Sequence, residues 1–491
     1  MERLWVKFLR ASMAAALLLS GCAGHGGSGE ARTFADVTRL SVGESAISRI
    51  AQGPPELAEV STLADYLAYA AANNPALQGA YYRWQAARER IPQAGALDDP
   101  QLTYRYFFGG MGFGGDMEQR QGLGLTQPLP WPMKLPLRVR LAETEARIER
   151  KRFEAARFKL NYDVTAAYAE YWYLSQALAV TEENVKLMQY LEGVARARYA
   201  TGTAMHPDLL RAQMELGRLE NEVRALRDLQ GPTVAKLNAI LNRPPESPLP
   251  WPKERSPSRD SLRLGGLDAP GQTAHVDEGQ LLVWLEQANP ELAAMGLEVD
   301  RQGLRGRLAR QDYLPDFMVG LEWMDMTAVS GGMGETDDTW ALMAGVNLPI
   351  WWGKYAAGVR EAQAMRQGAF QDRADKVNTL AADVKLAAYG LRDAQRRIDL
   401  YKDALVPKAR QAIQAAQASY RTGATSLLEA IDFQRTLLEF ELNYRRALAE
   451  SWQRLAELEM LLGRPLPAPA ATTQSAPQTP PAPREDAELN R

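Results

Sequence analysis

Apolar residues recur at seven-residue intervals along two long stretches of the chain. The series in residues 135 to 200 is Val164, Tyr171, Leu178 and Val185, with Ala167, Leu174 and Met188 between them. The series in residues 354 to 421 is Phe370, Val377, Val384, Leu391, Ile398 and Leu405, with Leu380, Ala387, Ala394 and Tyr401 between them. A heptad of this kind predicts α-helices that pack as coiled coils. At about 1.5 Å per residue, each stretch predicts a rod roughly 100 Å long.

Short runs in which apolar and polar residues alternate precede each rod. They occupy residues 101 to 108 and 121 to 129 before the first rod, and 316 to 326 and 339 to 350 before the second. Each pair surrounds a Gly-containing segment and predicts a β-hairpin, and runs of about 9 to 11 residues fit strands that cross a membrane at a tilt. Further helices are predicted at residues 62 to 95, with Ser61 as N-cap, 207 to 241 and 426 to 462.

The same plan occurs twice in the chain. The motifs Asn74-Pro75, Leu129-Pro130, Thr201-Gly202 and Arg243-Pro244 recur 215 to 221 residues later as Asn289-Pro290, Leu348-Pro349, Thr422-Gly423 and Arg464-Pro465. Two copies of one unit predict a pseudo-symmetric fold, whereas a solenoid would repeat about every 20 to 50 residues. The predicted divisions are a signal peptide (1–21), a lipidated and extended segment (22–61), the first repeat (62–243), a linker (244–276), the second repeat (277–465) and a disordered tail (466–491).

The N-terminus has the features of an export signal. Arg3, Lys7 and Arg10 precede an apolar run, residues 11 to 19, that is too short to cross a bilayer as a helix. The next residues end in Cys22 and resemble the lipobox of bacterial lipoproteins, which implies that Cys22 carries the lipid. An ordinary signal peptide with an incidental cysteine is the alternative. Cys22 is the only cysteine, so the chain can form no internal disulfide.

Composition and charge narrow the range of functions. The chain is 46% hydrophobic with a formal charge of -3, and its Lys and Arg residues form no cluster of the kind that binds nucleic acid. It has three His and one Cys, with no spaced metal-ligand motif and no nucleophile elbow. The Gly-x-Gly-x-x-Gly pattern at Gly110, Gly112 and Gly115 precedes no predicted helix, so it does not predict a dinucleotide site. We therefore expect no enzyme activity, no cofactor and no resident metal.

The four predicted strands are too few to close a barrel, because small barrels need about eight. An open sheet edge in lipid would leave backbone N–H and C=O groups without partners, at a cost of several kcal/mol each. Several chains must therefore share one barrel, with eight strands from two chains or twelve from three. Rods of roughly 100 Å exceed the bilayer core of about 30 Å, so most of each chain must project into an aqueous compartment.

These features together resemble the outer membrane efflux proteins, the TolC-like family of trimeric channel-tunnels, over about residues 62 to 465. The resemblance implies a mainly α fold with a membrane β-barrel, in which a homotrimer forms twelve strands that continue as an α-helical barrel across the periplasm. It also implies two partners, a periplasmic adaptor (membrane fusion protein) and an inner-membrane transporter of the resistance-nodulation-division type. The chain would then lie in the outer membrane, anchored by lipid and extending into the periplasm.

The junctions between strand and rod resemble the subgroup of this family that serves heavy-metal and cation efflux. That subgroup has a Pro-Trp-x-Gly-Lys pattern; Met133 replaces its Gly in the first half, whereas Gly353 retains it in the second. Trp131, Trp351 and Trp352 also fall where an aromatic belt at the membrane interface is expected. We therefore assign these three residues as membrane anchors.

Two turns join each rod to the helix that follows it. Gly202 and Gly423 are expected in the left-handed conformation that ends a helix. The resemblance implies that these turns form the periplasmic tip, where the adaptor docks. The docking residues that it assigns are Thr201, Gly202, Asp208, Thr422 and Gly423. A well-capped helical hairpin without a docking role is the alternative.

Glu429 and Asp432 lie three residues apart at the start of the last helix, so they share one face. Acidic residues in a first helical turn are favourable by a few tenths to about 1 kcal/mol, which is one reason for their presence. The resemblance implies another: they match two acidic positions that line the periplasmic gate, where three copies would form rings of carboxylates that favour cations. The methionines near the hairpins and His206 are interpreted as packing and turn residues.

The sequence thus predicts the outer-membrane channel-tunnel of a tripartite efflux pump, a passive exit duct for substrates delivered from the inner membrane. Heavy-metal cations are one substrate class, and export of organic compounds or proteins through the same duct is the alternative. A different interpretation is a periplasmic coiled-coil lipoprotein that acts as a scaffold and forms no pore. The paired hairpins favour the channel.

Overall fold

The computed structural model describes residues 62–112, 117–252, 278–328 and 336–466. The first half contains α1 (Leu63–Asn73), α2 (Pro75–Gly95), β1 (Gln101–Gly112), β2 (Met117–Leu129), α3 (Lys134–Ala200), α4 (His206–Asp228) and α5 (Gln230–Leu241). The second half contains α6 (Glu278–Ala288), α7 (Pro290–Gln311), β3 (Phe317–Ala328), β4 (Thr336–Val346), α8 (Trp352–Leu400), a π-helical turn (Tyr401–Leu405), α9 (Val406–Thr422) and α10 (Leu427–Leu462). The predicted signal peptide, Cys22, most of the linker and the tail lie outside these residues.

The predicted hairpins and rods are present, but two predicted helices are each divided. Residues 62 to 95 form two helices, because Asn74 precedes a proline and takes an extended backbone with φ -68° and ψ 120°. Residues 207 to 241 are divided after Asp228, whose carbonyl cannot receive a helical hydrogen bond from Pro232. The second rod is interrupted by the π-helical turn that precedes Pro407.

Two predicted boundaries are also wrong. The N-cap of α1 is Thr62 rather than Ser61: the Thr62 amide and hydroxyl both donate to the Asp65 carboxylate at 2.8 Å, as in a capping box. Strand β4 ends at Val346, although it was predicted to continue to residue 350. Pro349 lies in the missing part and has no N–H group to donate to a neighbouring strand.

The four strands form one antiparallel sheet in the order β1-β2-β3-β4. At the end of the sheet nearest the rods, residues that face each other stay aligned from β1 to β4, whereas the register shifts between Tyr106 and Met111 of β1 and between Gln119 and Gln121 of β2. Leu102 pairs with Leu125, Leu125 with Leu321, and Leu321 with Leu342. The hairpins of the two halves therefore join through β2 and β3, while β1 and β4 are the outer strands of the sheet.

The apolar core extends along the helices. In the first half α1, α2, α3 and α5 share a cluster that includes Tyr66, Tyr81 and Phe153, all at most 2% exposed. The start of the predicted linker packs on this cluster, because Trp251 stacks on Tyr171 with a centroid distance of 5.1 Å. In the second half α6, α7, α8 and α10 share an equivalent cluster. Each half thus has its own core beside its rod.

The two halves also pack on each other through α3 and α10. Trp172 of α3 lies against Trp452 of α10 with ring centroids 4.6 Å apart. Nearer the turns, a third cluster contains residues of both halves, including Leu191 and Leu219 from the first and Leu427 and Ile431 from the second. The turns of the two halves are therefore held at the same end of the molecule.

Candidate functional site

The sheet has one apolar face and one polar face. Side chains alternate along each strand, and the aligned register brings like residues together across strands. One face carries the row Leu102, Leu125, Leu321 and Leu342, of which Leu102 is 69% and Leu342 84% exposed. The opposite face carries Thr103, Arg105, Gly122, Gly124 and Glu322. A sheet with an exposed apolar face of this kind suits contact with lipid.

The polar face contains an ion pair that crosses a whole strand. The Arg105 guanidinium on β1 donates to the Glu322 carboxylate on β3, whose residue is 6% exposed. Strand β2 lies between them and presents Gly124 at this level; a Cβ there would stand 4.0 Å from Nη2 of Arg105. That distance is an ordinary van der Waals contact, so the guanidinium passes beside Gly124 to reach Glu322, and β2 does not separate the two charges.

The three tryptophans that the sequence assigned as anchors lie at the end of the sheet nearest the rods. Trp131 stacks on Phe317 with centroids 5.9 Å apart, and its backbone N–H donates to Oδ1 of Asp316 at 2.8 Å. Trp351 and Trp352 are 70% and 67% exposed. Their surroundings agree with the assignment as anchors, which stays a prediction.

Sequence analysis missed a second aromatic row at the other end of the apolar face. Tyr104, Trp323 and Trp340 lie in one register across the sheet, with Leu123 between the first two. Six residues separate Phe317 from Trp323, which at about 3.3 Å per residue is roughly 20 Å along the strand. The apolar face is therefore bounded by aromatic residues at both ends. The signal was hidden because it emerges only when the strand register is known.

Both turns at the far end of the rods have the predicted backbone. Gly202 and Gly423 have φ values of 73° and 83°, in the left-handed region. The hydroxyl of Thr201 donates to the carbonyl of Arg198 at 3.0 Å, and that of Thr422 donates to the carbonyl of Ser419 at 3.0 Å. Each threonine thus caps its helix while remaining exposed.

Arg198 joins the two turns, and sequence analysis did not identify it. Its guanidinium donates to the carbonyl of Tyr420 in the second half and to that of Thr203 in its own turn, the latter at 3.2 Å. It also lies over the Tyr420 ring, with Cζ 4.9 Å from the centroid. Burial raises the pKa of Tyr420; Arg198 lowers it and Asp208 raises it.

The acidic pair Glu429 and Asp432 begins α10 beside this junction. Ser426 caps the helix by accepting a hydrogen bond from the Glu429 amide at 3.2 Å. Both carboxylates are exposed, and neither forms an ion pair with another residue that the structure describes. Asp208, in contrast, lies 3.6 Å from Arg211 of its own helix. Within the described residues both carboxylates therefore lie beyond ion-pair distance of any cation, although the charge of Asp432 helps to raise the pKa of Arg435 on the same helix.

The described residues show neither a metal-binding cluster nor a membrane-spanning helix. They contain no group of three or more His, Cys, Asp or Glu side chains placed to hold a metal ion. Within the same residues, every helix is too short or too polar to cross a membrane.

Comparison with known proteins identifies the family. The outer membrane efflux protein family matches residues 67–243 and 281–464. The cobalt-zinc-cadmium resistance protein CzcC of Cupriavidus metallidurans is 24% identical over 179 residues, which is 36% of this chain and 40% of CzcC. The chain thus spans less than half the length of this curated relative.

Solved structures share the fold. The outer-membrane channel OprN superposes with a TM-score of 0.66 at 16% identity, covering 84% of this chain and 95% of OprN. CusC superposes with a TM-score of 0.68 at 17% identity, covering 82% of this chain and 92% of CusC. The prediction of a TolC-like fold, mainly α with a barrel-forming sheet, is confirmed. The chain belongs to the outer membrane efflux protein family, whose members are channels of the outer membrane and not enzymes.

Proposed function

We propose that this chain is the exit duct of a tripartite efflux pump. One observation carries the proposal: the four-stranded sheet has an apolar face, aromatic rows at both limits of that face and two outer strands that pair on one side only within the described residues. Such a sheet avoids unpaired backbone groups in lipid if β1 of one copy pairs with β4 of another. The duct is passive, and the inner-membrane transporter would supply the energy.

Three copies fit this arrangement better than two. A barrel of eight strands is filled by its own side chains, and a barrel of twelve is wider. The helices also support a neighbouring copy, because α8 exposes Met365, Phe370, Leu386 and Tyr389 by more than half of their area. Packing of α8 against the next copy would remove these apolar side chains from water.

Assembly and conduction test the proposal together. Purified protein is expected to form trimers that dissociate on heating and to conduct ions in planar lipid bilayers. A monomer that neither inserts nor conducts would refute the duct and favour the periplasmic scaffold. As a control, heat-dissociated protein should produce no ion conductance in the same bilayers.

Glu429 and Asp432 form the gate in this proposal. Three copies would bring six exposed carboxylates to the tip, where they would concentrate cations and repel anions. Glu429→Gln with Asp432→Asn should therefore move the cation-to-anion permeability ratio toward unity, measured from reversal potentials in a salt gradient. Glu222→Gln with Asp228→Asn is the matched control, because it removes the same charge from exposed positions of α4 farther from the turn. An unchanged ratio in the first variant would contradict the gate.

Thr201, Gly202, Asp208, Thr422 and Gly423 form the adaptor-docking tip in this proposal. All but Asp208 are exposed, and a side chain added at Gly202 would meet no atom within 4 Å. Asparagine tolerates the left-handed backbone, so Gly202→Asn should fold and place a new side chain on the docking surface. Its cross-linking to the co-expressed adaptor in cells should fall. Normal cross-linking at equal protein level would contradict this surface.

Cargo and anchoring complete the proposal. Heavy-metal cations are the favoured cargo, supported by the carboxylate pair at the tip and by the name of the relative CzcC. Deletion of the gene should then sensitise cells to divalent transition metals and not to organic toxicants; the reverse pattern would favour organic cargo.

Lipid at Cys22 would hold the N-terminus in the membrane, and palmitate labelling that persists in Cys22→Ser would refute this attachment.

A further inference from the structure

A buried polar layer crosses the apolar seam between the two halves. It consists of the buried residues Asn184 on α3, Glu215 on α4 and Gln434 on α10, together with Arg435 on α10, whose side chain is 52% exposed and reaches Glu215 from the solvent side. Asn184, Glu215 and Gln434 are 2%, 3% and 0% exposed. The apolar residues around the layer come from both halves and are Val180, Met188, Leu219, Ile431 and Leu438. Polar groups in such surroundings reduce stability unless they are paired.

Glu215 is held by two arginines, one from each half. Arg218 lies on the same helix and donates to Oε1 from Nε at 3.1 Å and from Nη2 at 2.7 Å. Arg435 belongs to the second half and donates to Oε1 from Nε at 3.1 Å and to Oε2 from Nη2 at 2.6 Å. Burial alone would raise the pKa of Glu215, but the arginines outweigh it and lower the pKa to about 2. The carboxylate is therefore ionised at physiological pH and is bound by one arginine from each half.

The neighbouring residue of α10 makes the second link. Nε2 of Gln434 donates to Oδ1 of Asn184 at 3.1 Å, and Nδ2 of Asn184 donates to the carbonyl of Val180 at 2.9 Å. Oε1 of Gln434 is buried without a hydrogen-bond partner among the described residues. An apolar pair would avoid this unsatisfied oxygen, so packing alone does not account for these amides.

Consecutive residues of α10 thus bind two different helices of the other half. If α10 moved by one helical turn, about 5.4 Å, Glu215 would lose Arg435 and Gln434 would face apolar side chains. Apolar packing alone would permit this movement of α10. After a shift of one turn, similar apolar side chains would occupy equivalent spaces between the residues of α3 and α4. The polar contacts oppose this movement. Gln434 would lose Asn184 and Arg435 would lose Glu215, which would leave buried polar groups without partners.

We propose that Asn184, Glu215, Gln434 and Arg435 are positioning residues that fix the axial register of α10 against the hairpin of α3 and α4. Asp432 lies two residues before Gln434, so the same register sets the level of the acidic pair at the tip. The consequence for the gate rests on the proposed function, whereas the register itself does not.

The experiment measures the register directly by electron spin resonance distance measurement. Spin labels are placed at Gly193→Cys on α3, where a side chain meets no atom within 4 Å, and at exposed Glu439→Cys on α10, in a Cys22→Ser background. Labelled chains are diluted with unlabelled chains before assembly, so that distances within one chain dominate. The parent is expected to give one narrow distance.

Arg435→Ala and Arg218→Ala form a matched pair for this measurement. Each variant removes one arginine from Glu215, but only Arg435 connects the two halves. Both should lower the midpoint of thermal unfolding. Arg435→Ala should also add a second distance peak, displaced by about one helical turn of 5.4 Å, and Arg218→Ala should keep the single peak. A single peak in Arg435→Ala, or the same second peak in both variants, would overturn the proposal.

The double variant Asn184→Leu with Gln434→Leu tests the register proposal if Arg435→Ala does not fold. Apolar residues fit the surrounding cluster, so the midpoint of thermal unfolding should stay equal or rise while the second distance peak appears. One narrow peak in this variant would overturn the register role of the amides. Neither measurement involves conductance or a partner protein, so a negative result here leaves the proposed duct intact, and a failure of the duct leaves the register result intact.

Discussion

The two halves of the chain form the same junction between short helices with equivalent asparagine side chains. Where the short helices meet, Nδ2 of Asn74 donates to the carbonyl of Ile240 at 2.9 Å, and Nδ2 of Asn289 donates to that of Leu461 at 2.7 Å. The side-chain oxygen of each asparagine also caps the helix that follows it. Each asparagine thus begins one helix and binds the end of another. The repeated Asn-Pro motif is explained by this double role.

The halves differ in the residues that complete this junction. The helix that ends there has a left-handed C-cap in both halves, Asn242 with φ 58° and Gly463 with φ 68°. One turn earlier, the first half has the buried amide of Asn238 and the second has the carboxyl of Glu459. The common backbone therefore tolerates different side chains, and local space decides which ones fit.

The rods differ as well. Helix α3 continues for 67 residues, whereas the second rod changes to a π-helical turn at Tyr401–Leu405 and continues as α9. Pro407 follows the turn and has no N–H for the carbonyl four residues before it, which favours a local change in hydrogen bonding. The second half therefore reaches the tip through a separate helix, and the first does not.

Among substitutions that test this difference between the halves, the largest loss of stability is expected at Gly463. A Cβ at this residue would lie 2.4 Å from Cδ of Pro290 and 2.7 Å from the carbonyl oxygen of Ala288, and φ is positive. Gly463→Ala should lower the free energy of unfolding by roughly 2 to 5 kcal/mol, about 1 to 2 from the left-handed backbone and about 1 to 3 from overpacking. The measurement is the midpoint of thermal unfolding by circular dichroism.

The first half supplies the control for Gly463. Asn242 already carries a side chain at the equivalent position, so Asn242→Gly relieves no clash and should change stability by only a few tenths of a kcal/mol. If Gly463→Ala were as mild as Asn242→Gly, close contact would not be the reason for glycine in the second half.

The features that sequence analysis predicted are those set by neighbouring residues. The heptads, the hairpins and the left-handed conformation of Gly202 and Gly423 each depend on a short window of sequence. The division of the first helix at Asn74 is equally local, since Pro75 follows it, but the apolar pattern continues across the division and predicts one helix. The interruption of the second rod is local as well, since Pro407 lacks an N–H group and the π-helical turn directly precedes it.

The features that sequence analysis missed depend on residues far apart in the chain. Arg198 contacts the carbonyl of Tyr420, and Glu215 binds Arg435, both across about 220 residues. A single sequence shows the charge of each arginine but not the helix that it faces. The aromatic row at Trp323 required the strand register for the same reason. The sites between the halves were therefore beyond prediction from periodicity.

A smaller effect is expected from two arginine contacts between the rods at the tip. Arg198 lies over buried Tyr420 and donates to its carbonyl, while Arg421 lies over Tyr190, with Cζ 5.6 Å from the centroid of a ring that is 42% exposed. Arg198→Ala should cost about 2 kcal/mol, from lost charged hydrogen bonds and cation–π contact, and Arg421→Ala about 0.5 to 1 kcal/mol. Hydrogen exchange of the Gly423 amide reports both values locally.

Arg198→Lys sharpens the interpretation of the arginine result. Lysine keeps the charge but loses the planar group that stacks on an aromatic ring and donates to two carbonyls. Protection of the Gly423 amide should therefore fall between the parent and Arg198→Ala. Full protection in Arg198→Ala would mean that this side chain does not join the two turns.

A pH-dependent effect is expected from the difference between Asn238 and Glu459. Burial raises the pKa of Glu459 from its ordinary value of 4.5 to about 8, against a hydrogen bond from the Leu466 amide that lowers it. The folded protein therefore holds a proton that the unfolded chain releases. The resulting stability is fully present below about pH 4.5 and is lost as pH rises through about 8. Asn238 cannot titrate and gives the first half no such dependence.

Exchanging the two side chains should move the pH dependence from one half to the other. Glu459→Gln should have the parent's midpoint of thermal unfolding near pH 4.5 and a higher midpoint above pH 8, because the buried charge is gone. Asn238→Asp should do the opposite, since its residue is 0% exposed and an ionised carboxylate there would be costly to bury. Parallel pH profiles for the parent and Glu459→Gln would mean that Glu459 is ionised in the folded protein, and the two halves would then differ in residue type without differing in behaviour.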